Sequence, residues 1–137
     1  MIYRETEEIT KEERKNVFDK LLAYNLSNLE DKNPRELGIF LEDEDGNCQG
    51  GLIGMTHGNW LEVEYLVVDE ALRGQNMGSE LLKRAEQAAS DRGCKYVFLD
   101  TFSFQAPEFY KKMGYKEVFV REEYPVTGKR HYLVKEL

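Results

Sequence analysis

The sequence predicts a mixed α/β fold built on one sheet, and two observations carry this prediction. The segment from Trp60 to Leu99 reads as strand, loop, helix and strand, which is the pattern of a βαβ crossover with parallel strands. Before it, strand-like residues Leu37–Leu41 and a second run from Cys48 to Thr56 flank a polar turn that contains Asp45-Gly46, which is typical of an antiparallel hairpin. Parallel and antiparallel pairs are therefore expected in the same sheet.

The N-terminal elements are a short strand and a helix. Residues Ile2 to Thr6 read as the strand. Thr10, with Glu13 three positions later, forms the capping-box pattern that opens a helix, which is expected to end near Asn28. Apolar residues at helical spacing give this helix one apolar face: Val17, Phe18, Leu21, Leu22 and Leu26.

The crossover itself begins with the strand Trp60–Val68, whose first residues alternate between polar and apolar. Its apolar end, Leu66-Val67-Val68, predicts burial on both faces. After a loop, the periodicity from Ser79 to Arg92 predicts a helix with Gly93 as its stop signal. The end of this strand and the start of this helix are expected to face each other across a crevice.

The C-terminal part reads as alternating short elements. Tyr96–Leu99 is an apolar strand, Pro107–Lys112 a short helix closed by Gly114, and two final strands cover Tyr115–Arg121 and Arg130–Lys135. No repeat, linker or low-complexity tract divides the chain, so we expect one domain over residues 1–137.

The composition is that of an acidic globular protein. Among 137 residues, 19 Lys and Arg stand against 26 Asp and Glu, which gives a formal net charge of −7. Hydrophobic residues make up 41%, enough to fill a core. The acidic balance argues against a generic nucleic-acid binder and favours a cationic substrate.

Nothing in the sequence indicates a membrane span, a secretory signal or a metal site. No apolar run approaches the ~20 residues that cross a bilayer, and charges interrupt the first residues where a signal peptide needs an apolar stretch. Cys48 and Cys94 lie far apart without ligand spacing, so neither a metal nor a disulfide framework is expected. We therefore expect a cytoplasmic protein that binds no membrane.

The loop before the long helix has the features of a phosphate site. Residues Arg73 to Ser79 join the predicted buried strand to the helix, so free backbone N–H groups and the positive end of the helix dipole face outward there. Gly74 and Gly78 let the backbone approach an anion, and Arg73 adds a guanidinium. The spacing excludes a Walker A loop and the dinucleotide-binding glycine triplet. A plain strand-to-helix turn with a surface arginine is the alternative.

Two motifs together resemble the GNAT acetyltransferase superfamily. Arg73-Gly74-Gln75-Asn76-Met77-Gly78 is similar to its pyrophosphate loop, Arg/Gln-x-x-Gly-x-Gly/Ala, with Asn76 where glycine is usual, and Phe109-Tyr110-Lys111-Lys112-Met113-Gly114-Tyr115 is similar to its FYxKxGY/F segment. The order of elements fits from Ile2 to Leu137. The resemblance implies a single-domain, largely antiparallel sheet with a central parallel pair splayed at one end and helices on both faces.

The resemblance also implies which residues bind acetyl-coenzyme A, the expected cosubstrate. The pantetheine arm would pair with the strand end at Leu66, Val67 and Val68, where the Leu66 amide would face the thioester carbonyl, and Ser103 would lie near the same arm, at a position where the family often has asparagine. The pyrophosphate would rest on the loop formed by Arg73, Gly74, Gln75, Asn76, Met77, Gly78 and Ser79.

Three side chains are candidates for the chemistry. By the resemblance, the Tyr110 hydroxyl would donate to the departing thiolate; a core aromatic is the alternative. Transfer to an amine needs a base or a water chain that removes its proton, and Glu62 and Glu64 lie ~7 Å apart on one face of a strand beside the expected thioester. Register with the family favours Glu62 over Glu64. Both are otherwise solvated residues on a half-exposed strand.

The sequence thus predicts an acetyl-coenzyme A-dependent N-acetyltransferase that acts on a primary amine by direct attack in a ternary complex. The acceptor would be a small amine, a protein lysine or an N-terminal amine, with no nucleic acid involved, and the family resemblance is compatible with a homodimer. A non-catalytic acyl-coenzyme A binding module is the main alternative, and a partner-binding domain of an unrelated α/β fold is another.

Overall fold

The computed structural model describes all residues from 1 to 137, in two compact units of residues 1–32 and 33–137. The first unit contains helix α1 (Lys11–Leu26). Its predicted capping box is present, because the Glu13 amide donates to Thr10 Oγ1 at 3.0 Å and the Thr10 amide donates to Glu13 Oε2 at 3.2 Å. The predicted strand at residues 2–6 is wrong: this segment, in which charged and apolar residues are mixed, forms no strand.

The second unit is a six-stranded mixed sheet with two helices and a short 3₁₀ turn. The strand order is β1-β2-β3-β4-β6-β5, and only β3 and β4 run parallel. The mixed, largely antiparallel sheet predicted from the sequence is confirmed. None of the helices of the protein is long and apolar enough to cross a membrane. The strands are β1 (Arg35–Glu42), β2 (Cys48–His57), β3 (Trp60–Val68), β4 (Tyr96–Phe102), β5 (Lys116–Arg121) and β6 (Arg130–Glu136), and the remaining elements are the 3₁₀ turn Glu70–Leu72, α2 (Met77–Asp91) and α3 (Pro107–Lys112).

The parallel pair at the centre of the sheet is short and opens at one end. Register between β3 and β4 covers only Trp60, Leu61 and Glu62 against Tyr96, Val97 and Phe98. Beyond these pairs, β3 remains paired with β2 as far as Val68, and β4 remains paired with β6 as far as Phe102. The register of β2 and β3 shifts between Ile53 and Gly54, which leaves Glu64 as an extra residue on β3. Such a bulge bends the strand that carries it.

The core lies between α2 and the sheet. Leu81, Leu82, Ala85 and Ala89 of α2 are buried, as their spacing predicts. They share one cluster with residues of five strands and of α3, among them Leu52, Leu61, Val97, Leu99, Tyr110 and Leu133.

The predicted burial of the β3 end on both faces is wrong. Val67 is 57% exposed, and Leu66 and Val68 are only partly buried. The reason is the parting of the two central strands, because β3 has lost β4 as its neighbour before it reaches these residues. The end of β3 therefore borders open space.

Candidate active site

A cavity of about 370 Å³ lies between the end of β3 and the start of α2. It brings together nearly all the residues that the sequence assigned to coenzyme binding; only Gln75 and Ser103 do not line it. Leu72, Ala106, Phe109 and Tyr110 complete the wall. The predicted members that line it are Leu66, Val67, Val68, Arg73, Gly74, Asn76, Met77, Gly78 and Ser79.

The start of α2 has the properties of an anion site. The N-cap residue Asn76 is left-handed, with φ 62° and ψ 14°, and its side chain does not cap the helix. The first helical hydrogen bond is donated by Glu80 to the Asn76 carbonyl, at 3.1 Å, so the amides of Met77, Gly78 and Ser79 precede the helical ladder. These amides and the helix dipole suit a negatively charged ligand.

Two further features of the loop suit a diphosphate at this helix start. Gly74 has φ +80°, and no atom lies within 4 Å of where its Cβ would be, so the loop borders open space. The Arg73 Nε donates to the Val68 carbonyl at 3.3 Å, and Arg73 lines the cavity, where it adds a positive charge. The chemistry of the loop therefore fits the pyrophosphate of a coenzyme.

Tyr110 is held beside this cavity by the elements around α3. Its amide donates to the Ala106 carbonyl at 3.3 Å, and its ring makes an edge contact with Tyr115 at a centroid distance of 5.8 Å. Only 7% of the residue is exposed. Burial, with a smaller effect of the Asp100 carboxylate, raises the pKa of Tyr110 to about 12. The phenol is therefore protonated throughout the neutral range.

A second cavity of about 490 Å³ fills the gap between the parted strands. Glu64, Tyr65, Leu66 and Val67 line it from β3, and Asp100, Thr101 and Phe102 line it from β4. We call this space the cleft. Ala106 and Tyr110 line the cleft and the first cavity alike, so the two spaces meet at α3.

The two candidate carboxylates take different places relative to the cleft. Glu62 belongs to the part of β3 that is paired with β4, where it is in register with Phe98, and it lines neither the first cavity nor the cleft. Glu64 is the extra residue of the bulge and lines the cleft together with Tyr110. The sequence ranked Glu62 first because the family register cannot show where the strands separate.

An ion pair on the cleft wall escaped the sequence analysis. The Arg130 guanidinium contacts Asp100 Oδ1 through Nε at 2.7 Å and through Nη2 at 2.5 Å. This hydrogen bond raises the pKa of Arg130 above its usual value. The guanidinium also lies 5.2 Å from the Phe102 ring centroid and 5.7 Å from that of Tyr124. In the sequence, Asp100 could have been recognised as a polar residue that alternates with buried residues of β4. Arg130 has no such pattern, because it reaches the cleft only through the pairing of β6 with β4.

Ser103 is engaged in a chain of hydrogen bonds beside the site. Its Oγ lies 3.0 Å from His131 Nε2, and His131 Nδ1 lies 2.7 Å from Glu117 Oε2. The hydrogen bond from His131 lowers the pKa of Glu117. Ser103 lines neither the first cavity nor the cleft, whereas its neighbours Phe102 and Phe104 line the cleft and an adjoining pocket.

Comparisons with known proteins identify the family of the chain. The model of the acetyltransferase (GNAT) family matches residues 3–115. The chain is 37% identical over 107 residues to an acetyltransferase of Agrobacterium fabrum, which covers 78% of each protein. It is 42% identical over 95 residues to the blasticidin-S acetyltransferase of Streptomyces morookaense, which covers 69% of this chain and 70% of the relative.

Solved structures have the same fold. The crystal structure of an acetyltransferase from Bacillus cereus superposes with a TM-score of 0.87 at 36% identity, over 98% of both chains. An aminoglycoside 6′-N-acetyltransferase solved with coenzyme A superposes with a TM-score of 0.66 at 19% identity, over 99% of this chain and 97% of the other. The chain belongs to the GNAT acetyltransferase family and is an N-acetyltransferase.

Proposed function

We propose that the protein transfers the acetyl group of acetyl-coenzyme A to a primary amine by direct attack in a ternary complex, with residues 1–137 acting as one domain. The observation that carries this proposal is the position of Tyr110, which lines both the cavity at the uncapped start of α2 and the carboxylate-bearing cleft. A coenzyme whose diphosphate lies on the loop at Arg73 would extend its thioester toward this junction.

The residues at the junction supply the proton transfers that the reaction needs. Acetyl-coenzyme A supplies an activated acyl group, and a carbon–nitrogen bond forms at its carbonyl carbon as the carbon–sulfur bond breaks. A free alkylamine has a pKa of ~10.4 and is mostly protonated at neutral pH, so a proton must leave it. Glu64 lines the cleft and is our first candidate to accept this proton, with Glu62 as the alternative. Tyr110, whose pKa is raised to about 12, is protonated at neutral pH and donates its proton to the leaving sulfur.

The acceptor is proposed to be a small amine. The family relative in Streptomyces is named for blasticidin S, and the structural neighbour solved with coenzyme A is named for aminoglycosides. The cleft measures about 490 Å³, which is in the range of small-molecule sites. Acetylation of a protein lysine or an N-terminal amine, homodimer formation and a cytoplasmic location remain predictions, and the mechanism requires no metal.

Binding of acetyl-coenzyme A by calorimetry tests the first half of the proposal. Gly78→Asp adds a carboxylate at the start of α2, where it repels phosphate, and should weaken binding by at least about 10-fold, or about 1.4 kcal/mol. Gly78→Ala is the matched control. Its Cβ would lie 3.8 Å from Phe109 and 3.9 Å from Val68, which is ordinary contact, so the fold accommodates it and any loss of binding should be smaller than that of Gly78→Asp. Saturable binding that survives both Gly78→Asp and Arg73→Ala would contradict the assignment of the loop.

A further inference from the structure

The cleft contains one carboxylate that no cation in its wall neutralises. Two acidic residues line it, but Asp100 is paired with Arg130 through two contacts to one oxygen. Glu64 has no ion pair, and Arg130 is the only basic residue among the lining side chains. The charge that an acceptor meets beside Tyr110 is therefore the negative charge of Glu64.

Arg130 is also already engaged by groups of the protein, which weakens its attraction for an anionic group of an acceptor. Its Nε and Nη2 are directed to Asp100, and its Nη1 lies 3.5 Å from the Tyr124 hydroxyl. The aromatic rings of Phe102 and Tyr124 lie within 5.7 Å of the guanidinium carbon. An acidic group entering the cleft would meet Glu64 without a free cation to compensate it.

The aromatic residues that line the cleft also favour a positively charged acceptor. Tyr65 lines the cleft and is 66% exposed, and Phe102 lines the opposite wall. The faces of such rings attract ammonium groups. Both the free carboxylate and the exposed ring favour positive charge on the acceptor beyond its reacting nitrogen.

Resting on the proposed function, we propose that the acceptor is a cationic alkylamine that carries no carboxylate or phosphonate, and that Glu64 is the residue that discriminates against amines bearing an acidic group. Asp100 contributes by keeping Arg130 occupied. Like charges brought together in a partly enclosed site repel each other, whereas the ion pair contributes no net charge.

Three amines of matched length test this proposal: 1,6-hexanediamine, hexylamine and 6-aminohexanoate. Their reacting amines are alike, and only the far end changes from positive to neutral to negative. The measurement is kcat/KM from thiol release with acetyl-coenzyme A. We expect the diamine to be the best substrate, with a ratio of diamine to aminohexanoate of at least about 10, or about 1.4 kcal/mol. A ratio of one or less would overturn the proposal, and the absence of transfer to any amine would instead contradict the proposed function.

Variants test which residues cause the enzyme to prefer the diamine over aminohexanoate. Glu64→Gln should bring the ratio close to one, whereas Glu62→Gln, two positions away and outside the cleft, should leave the ratio unchanged whatever its effect on the rate. Asp100→Asn should lower the ratio, because it frees Arg130 to bind the carboxylate of aminohexanoate. If Glu64→Gln has no measurable turnover, calorimetric binding of the diamine and of aminohexanoate to the coenzyme A complex gives the same comparison. A ratio that Glu64→Gln leaves intact would overturn the role of Glu64.

Discussion

At the scale of single residues, the catalytic role proposed for Tyr110 can be tested separately from coenzyme binding. Tyr110→Phe keeps the ring and its edge contact with Tyr115 but removes the proton that the leaving sulfur takes in the proposed mechanism. We expect kcat to fall by about 100-fold, the lower end of the usual effect of a general acid, with an unchanged dissociation constant for acetyl-coenzyme A. Steady-state kinetics and calorimetry measure the two quantities. Equal kcat in both proteins would contradict the assignment, and a non-catalytic binding module would transfer acetyl in neither form.

The pH dependence gives a second test of the same residue. Because the pKa of Tyr110 is raised to about 12, the phenol stays protonated as the pH rises through the range in which amines lose their proton. In the wild-type protein, kcat/KM should therefore rise from pH 6 to pH 10 without a falling limb. A falling limb near pH 9 that disappears in Tyr110→Phe would show that the phenol ionises in that range.

The sequence located Tyr110 but could not locate its surroundings. The role of Tyr110 could be predicted because the motif that contains it, Phe109–Tyr115, is a run of consecutive residues. Asp100 and Arg130 are brought together by strand pairing across 30 positions of the chain, and neither has a local pattern. Glu64 was recognised as a candidate but ranked second, because a bulge is a property of two strands and not of one.

At the scale of elements, the bulge in β3 depends on a glycine in β2. A Cβ at Gly54 would lie 2.6 Å from the Glu62 carbonyl oxygen and 3.2 Å from Leu61 Cδ1. Since the nearer atom belongs to the backbone, it cannot move without shifting the strand. Gly54→Ala should lower the free energy of unfolding by about 1–3 kcal/mol, measured by urea denaturation. Gly78→Ala is the control: its Cβ has room, so stability should be unchanged or slightly higher. Equal stability of Gly54→Ala and the wild type would show that the strands adapt.

Element boundaries followed the sequence most closely where the chain carries its own stop signals. The limits predicted for β3 and α3 are those of the structure. Gly93 follows α2 with φ +89°, and Gly114 follows α3 with φ +95°. The predicted burial of Val67 was wrong because the apolar run does not show whether the neighbouring strand remains paired along its whole length. Helix α2 begins two residues earlier than the sequence suggested, at Met77, because Asn76 takes the left-handed N-cap.

At the scale of the whole sheet unit, a charged network connects α2 to the C-terminal strands. Glu86 of α2 accepts from the Tyr115 hydroxyl at 2.7 Å and from Lys135 of β6 at 3.1 and 3.2 Å. Lys135→Met would leave the nearly buried Glu86 carboxylate with one donor, which should lower the free energy of unfolding by about 1–3 kcal/mol. The exposed pair Arg84–Glu80 is the control, and Arg84→Met should cost less than about 0.5 kcal/mol. Denaturation curves of equal midpoint for both variants would contradict the structural role of the network.

The brief contact of β3 with β4 makes the sheet two three-stranded ribbons joined at one short seam, β1-β2-β3 on one side and β4-β6-β5 on the other. Glu64 belongs to the first ribbon, whereas Tyr110 follows the first strand of the second. The two residues proposed to accept and to donate a proton are therefore carried by different halves of the sheet, and the space between them exists because the two central strands pair over only three positions.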